Sequence, residues 1–303
     1  CAKIYAQDRF PLNLALGPLV KRPASQKIRI GYFSADFKNH PVSFLTAELF
    51  ELHDKNKFEI IGFSFGVDDQ GPMRSRLSQA FNQFFDVNEK SDKEIAQLSR
   101  ELEIDIAVDL GGHTKDGRTG IFSHRAALIQ VNYLGYPGTM GAEYIDYIVA
   151  DKTLIPANSQ SCYSEKVVYL PNSYQVNDRK RAISDKQFTR QDLGLPENEF
   201  VFCCFNNNYK ILPATFASWM RILRAVDGSV LWLLQDNPWV VDNLKKESEK
   251  QGVAPNRLVF AERLPLPEHL ARHRQADLFL DTLPYNAHTT ASDALWTDLP
   301  VLT

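Results

Sequence analysis

The sequence lacks several features that mark large classes of proteins. Its 303 residues carry 34 lysines and arginines against 37 aspartates and glutamates, so it has no basic excess for general nucleic-acid binding. It contains no signal peptide and no apolar run of about 18 residues that would span a membrane. Its four cysteines have neither zinc-site nor disulfide-framework spacing. These absences indicate a reducing compartment, and we expect a cytoplasmic protein without membrane or nucleic-acid partners.

Three nucleotide-binding motifs are also missing. Neither a Walker-type loop nor a G-x-G-x-x-G run occurs, which disfavours an NTPase or a dehydrogenase. No Asp-x-Asp pair is present, although an enzyme that holds a diphosphate through a metal ion usually needs such carboxylates. We therefore expect no metal and no cofactor.

What the sequence does contain is a repeated alternation of short apolar runs and amphipathic stretches. This pattern predicts strands at 27–33, 58–65, 104–110, 130–134 and 144–150, and helices at 42–52, 72–83 and 92–102. A second series has strands at 200–205, 230–234, 257–260 and 277–280, with helices beginning near 213, 240, 267 and 290. Such alternation predicts α/β domains with parallel sheets, here two Rossmann-like domains facing each other across a cleft.

The composition suggests where these domains begin and end. Residues 1–26 form a lead-in interrupted at Phe10-Pro11 and at Pro23-Ala24-Ser25, where prolines disfavour a helix. The first domain covers 27–175, a polar linker covers 176–198, and the second domain covers 199–303. The chain has no initiator methionine and stops in an apolar stretch. We expect a piece of a longer protein with a truncated second domain.

Two loops of the second domain carry candidate binding residues. The segment 286–293, NAHTTASD, follows a predicted strand and opens a helix. There Thr289, Thr290 and the free backbone N–H groups could hold a diphosphate, and Asp293 could accept hydrogen bonds from ribose. The alternative is an ordinary threonine N-cap. In the segment 205–210, FNNNYK, three amides and Lys210 could bind phosphate; the alternative is a polar loop with a solvated lysine.

The first domain offers three further loops that follow strands. In 34–41, SADFKNHP, Asp36 and His40 could meet, and a histidine beside a carboxylate is a possible proton acceptor or substrate anchor. The alternative is that Asp36 caps the next helix. The glycines of 111–114, GGHT, and of 134–139, LGYPGT, would let a ligand approach the backbone, or they form plain turns.

Taken together, these segments resemble the O-linked N-acetylglucosamine transferase family. The resemblance extends from about residue 27 to 303 and also includes 163–166, YSEK, and 229–234, SVLWLL. It implies the GT-B fold and metal-independent, inverting transfer of N-acetylglucosamine from UDP-GlcNAc to serine and threonine of acceptor proteins. It also implies tetratricopeptide repeats upstream, for which residues 1–26 would be the exit.

The resemblance assigns roles to individual positions of this sequence. His40 falls on the family's active-site histidine, Asp36 on its neighbouring acid and Lys210 on the lysine at the leaving diphosphate. The remaining positions are implied to bind the nucleotide sugar: Gly135 in the sugar pocket, His288, Thr289 and Thr290 at the phosphates, Asp293 at the ribose and His269 near the uracil ring. Asn207 stands where animal members have glutamine.

Other departures bear on the sugar. Val42 replaces a threonine, Leu266 a nucleotide-contacting lysine and Tyr285 a small residue near the sugar's acyl group. The segments 112–114 and 281–285 look more like plant-type protein O-fucosyltransferases, which use GDP-fucose. Three hypotheses follow: N-acetylglucosamine transfer, fucose transfer, or a catalytically weak scaffold domain of a repeat protein.

Overall fold

A computed structural model describes residues 1–20 and 26–303 of the chain. The predicted break at Pro23-Ala24-Ser25 lies outside these residues. The chain divides into two units, Cys1–Lys180 and Arg181–Thr303. Each contains one parallel sheet with helices between its strands, which confirms the predicted α/β class.

The first unit contains a seven-stranded sheet in the order β3-β2-β1-β4-β5-β6-β7, with every pair parallel. Its strands are β1 (Ile28–Ser34), β2 (Phe58–Ser64), β3 (Gln83–Asp86), β4 (Ile106–Asp109), β5 (Ile129–Asn132), β6 (Tyr147–Ala150) and β7 (Lys166–Tyr169). Its helices are α1 (Ala2–Arg9), α2 (Pro41–Glu51), α3 (Pro72–Ala80), α4 (Asp92–Glu101) and α5 (Thr119–Ser123).

The second unit contains a five-stranded sheet in the order β10-β9-β8-β11-β12, again parallel throughout. Its strands are β8 (Val201–Cys204), β9 (Val230–Leu234), β10 (Leu258–Ala261), β11 (Leu278–Leu280) and β12 (Val301–Leu302). Its helices are α6 (Pro213–Ala225), α7 (Pro238–Lys250), α8 (Leu266–Arg272) and α9 (Thr289–Trp296).

Local sequence explains where several helices begin. Proline is the first residue of α2, α3, α6 and α7, a position where its missing N–H group costs nothing. The helix α4 begins with a capping box in which Ser91 and Glu94 each bond the other's backbone N–H.

The apolar faces of these elements form a separate core in each unit. In the first, Phe33 of β1 stacks on Phe63 of β2 with ring centroids 4.3 Å apart. In the second, Trp232 of β9 and Phe279 of β11 are fully buried, and the apolar face of α6 that includes Phe216, Trp219 and Leu223 is buried beside them. The central strands are buried on both faces, as parallel sheets require.

Three elements differ from the sequence-based prediction. The helix predicted over 72–83 ends at Ala80, and Gln83–Asp86 forms the strand β3. The edge strand β7 and the five-residue helix α5 were not predicted. No helix in the described parts of the chain is long and apolar enough to cross a bilayer.

Candidate active site

Both sheets bring two candidate ligand-binding loops together at the point where strand order reverses. In the first unit this point lies between β1 and β4, and in the second between β8 and β11. Ligands of open parallel sheets bind beyond the carboxyl ends of the strands at such a point. The segments singled out in the sequence, 34–41, 111–114, 205–210 and 286–293, come after these four strands.

In the first unit, the loop after β1 brings Asp36 and His40 together. His40 Nδ1 lies 3.5 Å from Asp36 Oδ2. Partial burial lowers the pKa of His40 below its ordinary value and raises that of Asp36, although each opposes the other's shift. A half-exposed imidazole with a lowered pKa is neutral near pH 7 and can accept a proton.

His40 also begins the helix α2. Its Nδ1 accepts a hydrogen bond from the Val42 backbone N–H at 3.3 Å, so the capping residue is His40 and not Asp36. When Nδ1 accepts this bond, the neutral ring carries its proton on Nε2. When Nδ1–H instead points to Asp36, Nε2 is free to act as a base. The geometry therefore permits two tautomers with different roles.

The two glycine-rich loops of the first unit are closely packed. A side chain on Gly135 would place its Cβ 2.1 Å from the Leu110 carbonyl oxygen, and one on Gly112 would meet Tyr136 at 2.6 Å. The buried Asp109 fixes the neighbouring loop because its Oδ1 accepts hydrogen bonds from the N–H groups of Gly111 and Gly112. Gly135 therefore lies in the loop after β5, in contact with the end of β4.

In the second unit, Lys210 is the buried cation of the loop after β8. Its Nζ donates a hydrogen bond to the Asn286 carbonyl oxygen at 2.9 Å and lies 4.0 Å from the centroid of the Tyr285 ring. Burial lowers the pKa of Lys210, and the nearby Asp281 opposes that shift. The lysine is thus held against the segment that leads into α9, and it is not a solvated surface residue.

The segment before α9 is organised by residues that the sequence reading missed. Asp281, directly after β11, accepts hydrogen bonds from the N–H groups of Thr282 and Ala287 and from the side chains of Asn206, Asn286 and Thr303. Asn206 also donates to Thr282 Oγ1 at 2.8 Å. A carboxylate directly after a buried strand, next to the candidate phosphate loop, was the signal available in the sequence.

The threonines at the start of α9 do not cap it. The N-cap residue is His288, and no side chain caps the helix. Thr290 Oγ1 instead donates to the Asn206 side chain. Within the described residues, the backbone N–H groups of Thr289 and Thr290 have no side-chain partner, as an anion site at a helix N-terminus requires. Burial lowers the pKa of His288, and the nearby Lys210 adds to that shift.

Asp293 lies one turn into α9 and is buried. Its Oδ1 pairs with Nη1 of Arg181, and the side chain of Arg181 is only 2% exposed. Burial raises the pKa of Asp293 to about 6 against the opposing charge of Arg181. The sequence reading did not single out Arg181, because it lies 112 positions from Asp293 in a polar segment.

His269 lies on α8 beside the end of β8. Its ring is 5.2 Å from that of Phe205, and its Nδ1 lies 2.6 Å from Nη2 of Arg272. Since an arginine can only donate, Nδ1 accepts this bond and the neutral ring carries its proton on Nε2. Asn207, in contrast, is exposed, and its side chain has no hydrogen bond within the described residues.

The structure therefore groups the candidates within each unit. It brings Asp36 and His40 together in the first, with Gly135 in a separate loop. In the second it brings Lys210 to Tyr285 and Asn286, in the segment that leads to His288 and to Thr289 and Thr290 at the start of α9. The Asp293 side chain forms an ion pair with Arg181, and the His269 ring contacts Phe205, the residue after β8. The Asn207 side chain joins neither group within the described residues.

Two Rossmann-like units with polar loops at both points of strand reversal define an α/β protein of the GT-B class. Anabaena HepE in complex with UDP-glucose shares this fold, with a TM-score of 0.55 and 14% identity over 90% of this chain and 79% of that one. The sequence matches glycosyl transferase family 41 over residues 18–187 and 185–303. The chain belongs to that family, which confirms the resemblance found in the sequence.

Individual relatives agree with this assignment. A probable UDP-N-acetylglucosamine–peptide N-acetylglucosaminyltransferase of Arabidopsis thaliana, SEC, is 38% identical over 97% of this chain and 31% of its own length. A mutant O-GlcNAc transferase of Thermobaculum terrenum superposes with a TM-score of 0.89 at 31% identity, covering 100% of this chain and 57% of that one. The chain thus spans about a third of the length of the curated relatives that it matches.

Proposed function

We propose that this chain is the catalytic region of an inverting protein O-glycosyltransferase that moves N-acetylglucosamine from UDP-GlcNAc to serine or threonine hydroxyls of acceptor proteins. The observation that carries the proposal is Lys210, a buried cation held at the segment that leads into the uncapped N-terminus of α9. Its support is the family membership, together with relatives named for peptide N-acetylglucosaminyl transfer.

The second unit is assigned to the donor. The diphosphate would lie at the N–H groups of Thr289 and Thr290, where the helix dipole contributes about half a positive charge. Lys210 would neutralise the charge that grows on the diphosphate as the bond to the sugar breaks. His288 would bind the phosphates, Asp293 the ribose and His269 the uracil ring. This assignment requires neither a metal ion nor a cofactor.

The first unit is assigned to the sugar and the acceptor. The acceptor hydroxyl oxygen forms a bond to the anomeric carbon while the bond from that carbon to the diphosphate oxygen breaks, so the configuration inverts and UDP leaves. The hydroxyl proton goes to His40 Nε2 in the tautomer whose Nδ1–H points to Asp36. Gly135 is assigned to the sugar pocket on the family resemblance, and a side chain at this position would collide with the Leu110 carbonyl oxygen and displace the loop.

Calorimetric titration of the protein with UDP and with GDP tests the proposal. We expect UDP to bind and GDP to bind at least tenfold more weakly. Preference for GDP would favour fucosyl transfer, to which Tyr285 and the segment 281–285 point. Binding of neither nucleotide, by the full-length protein that contains this region, would favour a scaffold domain.

Transfer itself needs a second measurement. With UDP-GlcNAc labelled in the sugar and an acceptor protein, we expect label to move to the acceptor and to be released by β-elimination, as a sugar on serine or threonine is. Hydrolysis of the donor without labelled protein would contradict the assigned acceptor.

A further inference from the structure

A buried cation lies next to the proposed nucleotide site and has no role in the assignments above. Arg181 is 8% exposed as a residue and its partner Asp293 is 4% exposed. Their side chains form an ion pair between Nη1 and Oδ1. Taking two charges out of water is costly, and replacing such a pair by apolar residues is often neutral or stabilising. The pair therefore calls for an explanation other than stability.

Arg181 is fixed by contacts besides this carboxylate. Its guanidinium carbon lies 5.1 Å from the centroid of the Trp296 ring, within cation–π range. Trp296 Nε1 also donates a hydrogen bond to the Arg181 carbonyl oxygen at 3.3 Å. Because Trp296 lies three positions after Asp293 on α9, both residues occupy the same helix face. Arg181 is thereby held against that face.

The contact uses only part of each side chain. Asp293 Oδ2 has no hydrogen bond within the described residues, while Oδ1 is bound by Arg181. On the arginine, Nε and Nη2 are buried without an acceptor in the same set of residues. A purely structural arginine normally has its buried donors satisfied. Here one atom of the carboxylate is fixed and the other is left available.

We propose that Arg181 is a positioning residue of the nucleotide site, which holds Oδ1 of Asp293 so that Oδ2 can accept a hydrogen bond from a ribose hydroxyl. The inference rests on the proposed function, because it requires a ribonucleotide at α9. Arg181 does not touch the ligand in this account. It acts through the orientation and the charge of Asp293.

The charge of Asp293 gives the proposal a measurable consequence. Burial raises its pKa, and Arg181 is the charged group that opposes this rise. The helix α9 has no acidic residue in its first turn and no basic residue in its last turn. On the neighbouring helix α8, Glu268 accepts a hydrogen bond from Lys186, and Arg272 donates one to His269. Neither of these charged groups pairs with Asp293. Without Arg181, Asp293 would become protonated at a higher pH.

Binding of UDP and of 2′,3′-dideoxy-UDP, measured by calorimetry from pH 5.5 to 9, tests this. For the unmodified protein we expect the preference for UDP over the dideoxy ligand to fall as the pH drops through about 6, the pKa of Asp293. Comparing the two ligands cancels the titration of the diphosphate itself. In Arg181→Met the preference at pH 7 should fall by roughly tenfold, the contribution of one charge-assisted hydrogen bond, and should recover towards pH 9.

Two further variants keep the test decisive if Arg181→Met does not fold. Arg181→Lys retains a cation and should keep the pH midpoint near that of the unmodified protein. Arg181→Gln retains a donor without charge and should move the midpoint upward. Arg190→Met is the matched control, because Arg190 belongs to the same unit and pairs with Asp277, which precedes β11. This variant should leave the preference for UDP over the dideoxy ligand, and its pH dependence, unchanged.

The outcomes separate the two proposals. If the unmodified protein binds no UDP, the proposed function fails before Arg181 is tested. If it binds UDP and every Arg181 variant keeps the same preference for ribose at every pH, the positioning role is overturned and the function stands.

Discussion

Lys210 shows how much of the proposed chemistry depends on single side chains. It is a buried lysine whose Nζ, among the residues that the structure describes, has one hydrogen bond, to Asn286, and one aromatic neighbour, Tyr285. An ammonium group has three donors, so two of them remain for ligand oxygens. The ammonium group of Lys210 is therefore available to an anion. The nearby carboxylate of Asp281 does not occupy it, because Asp281 accepts hydrogen bonds from other donors.

We expect Lys210→Met to reduce sugar transfer by about 10²–10³-fold, because a preorganised group that stabilises transition-state charge contributes that much. Methionine retains most of the apolar stem, so the thermal unfolding midpoint should change little. Lys250→Met is the control, since Lys250 is an exposed residue of α7. Near-normal transfer by Lys210→Met would remove this residue from the mechanism.

His40 combines two functions that substitution can separate. Asparagine at this position can still accept the Val42 N–H as an N-cap, but it cannot take up a proton. We expect His40→Asn to unfold at the same temperature as the unmodified protein and to lose about 10²–10⁴-fold in turnover. His40→Ala should lose the same activity and also about 1 kcal/mol of stability through the missing cap.

The pH dependence of transfer gives a second measurement for His40. Burial lowers its pKa below 6.5, so the neutral base predominates at pH 7 and is lost in more acidic solution. The acidic limb of the rate profile should therefore lie below pH 6.5 and disappear in the residual activity of His40→Asn. An acidic limb that is unchanged in that variant would assign it to another group.

At the scale of single residues, the sequence indicated which residues lie near one another better than it indicated the hydrogen bonds that they form. The threonines at the start of α9 and Lys210 were expected at a common site, and the structure brings Lys210 to Asn286, three residues before Thr289. Two other features depend on the positions of side chains in space: His40 caps α2, and Asp281 accepts hydrogen bonds from the segment that leads into α9. Such positions have no periodic signal in a single sequence. Arg181 could not be found for the same reason.

At the scale of elements, the strand patterns that were recognised are the long or central ones. The two missed strands, β3 and β7, are both four residues long and both lie at edges of the first sheet. Edge strands bury one side only and carry polar residues, so a four-residue run shows no clear alternation. The helix α5, with five residues, is too short to show a helical period.

The segment from Asp281 to α9 behaves as one element, because a single carboxylate accepts its hydrogen bonds. We expect Asp281→Asn to weaken UDP binding by roughly tenfold, since one acceptor oxygen becomes a donor that faces other donors. Hydrogen exchange of residues 281–290 should become faster in the same variant. Asp236→Asn is the control, because Asp236 is exposed and forms a surface ion pair with Arg263. Unchanged exchange in this segment would show that the network does not order it.

At the scale of the whole molecule, the two units repeat one arrangement. In each, the first strand lies beside the strand that follows the reversal of strand order, and the polar loops follow these two strands. The loop composition differs between the units. The first carries a histidine and a carboxylate suited to proton transfer, and the second carries a lysine and an uncapped helix suited to a diphosphate. This division matches the proposed separation of acceptor and donor.

The same division predicts how the protein responds to chelation. A chain with a net charge of −3 attracts a diphosphate only through local positive charge, and the second unit offers Lys210 and the α9 N-terminus for this purpose. Together they supply about one and a half positive charges, comparable to what a divalent ion would contribute. We therefore expect UDP affinity and transfer to be unchanged after exhaustive treatment with EDTA. Lys210→Met should not be rescued by added magnesium, because no carboxylate pair has been assigned to hold it. Strong inhibition by EDTA that magnesium or manganese reverses would contradict the metal-independent account.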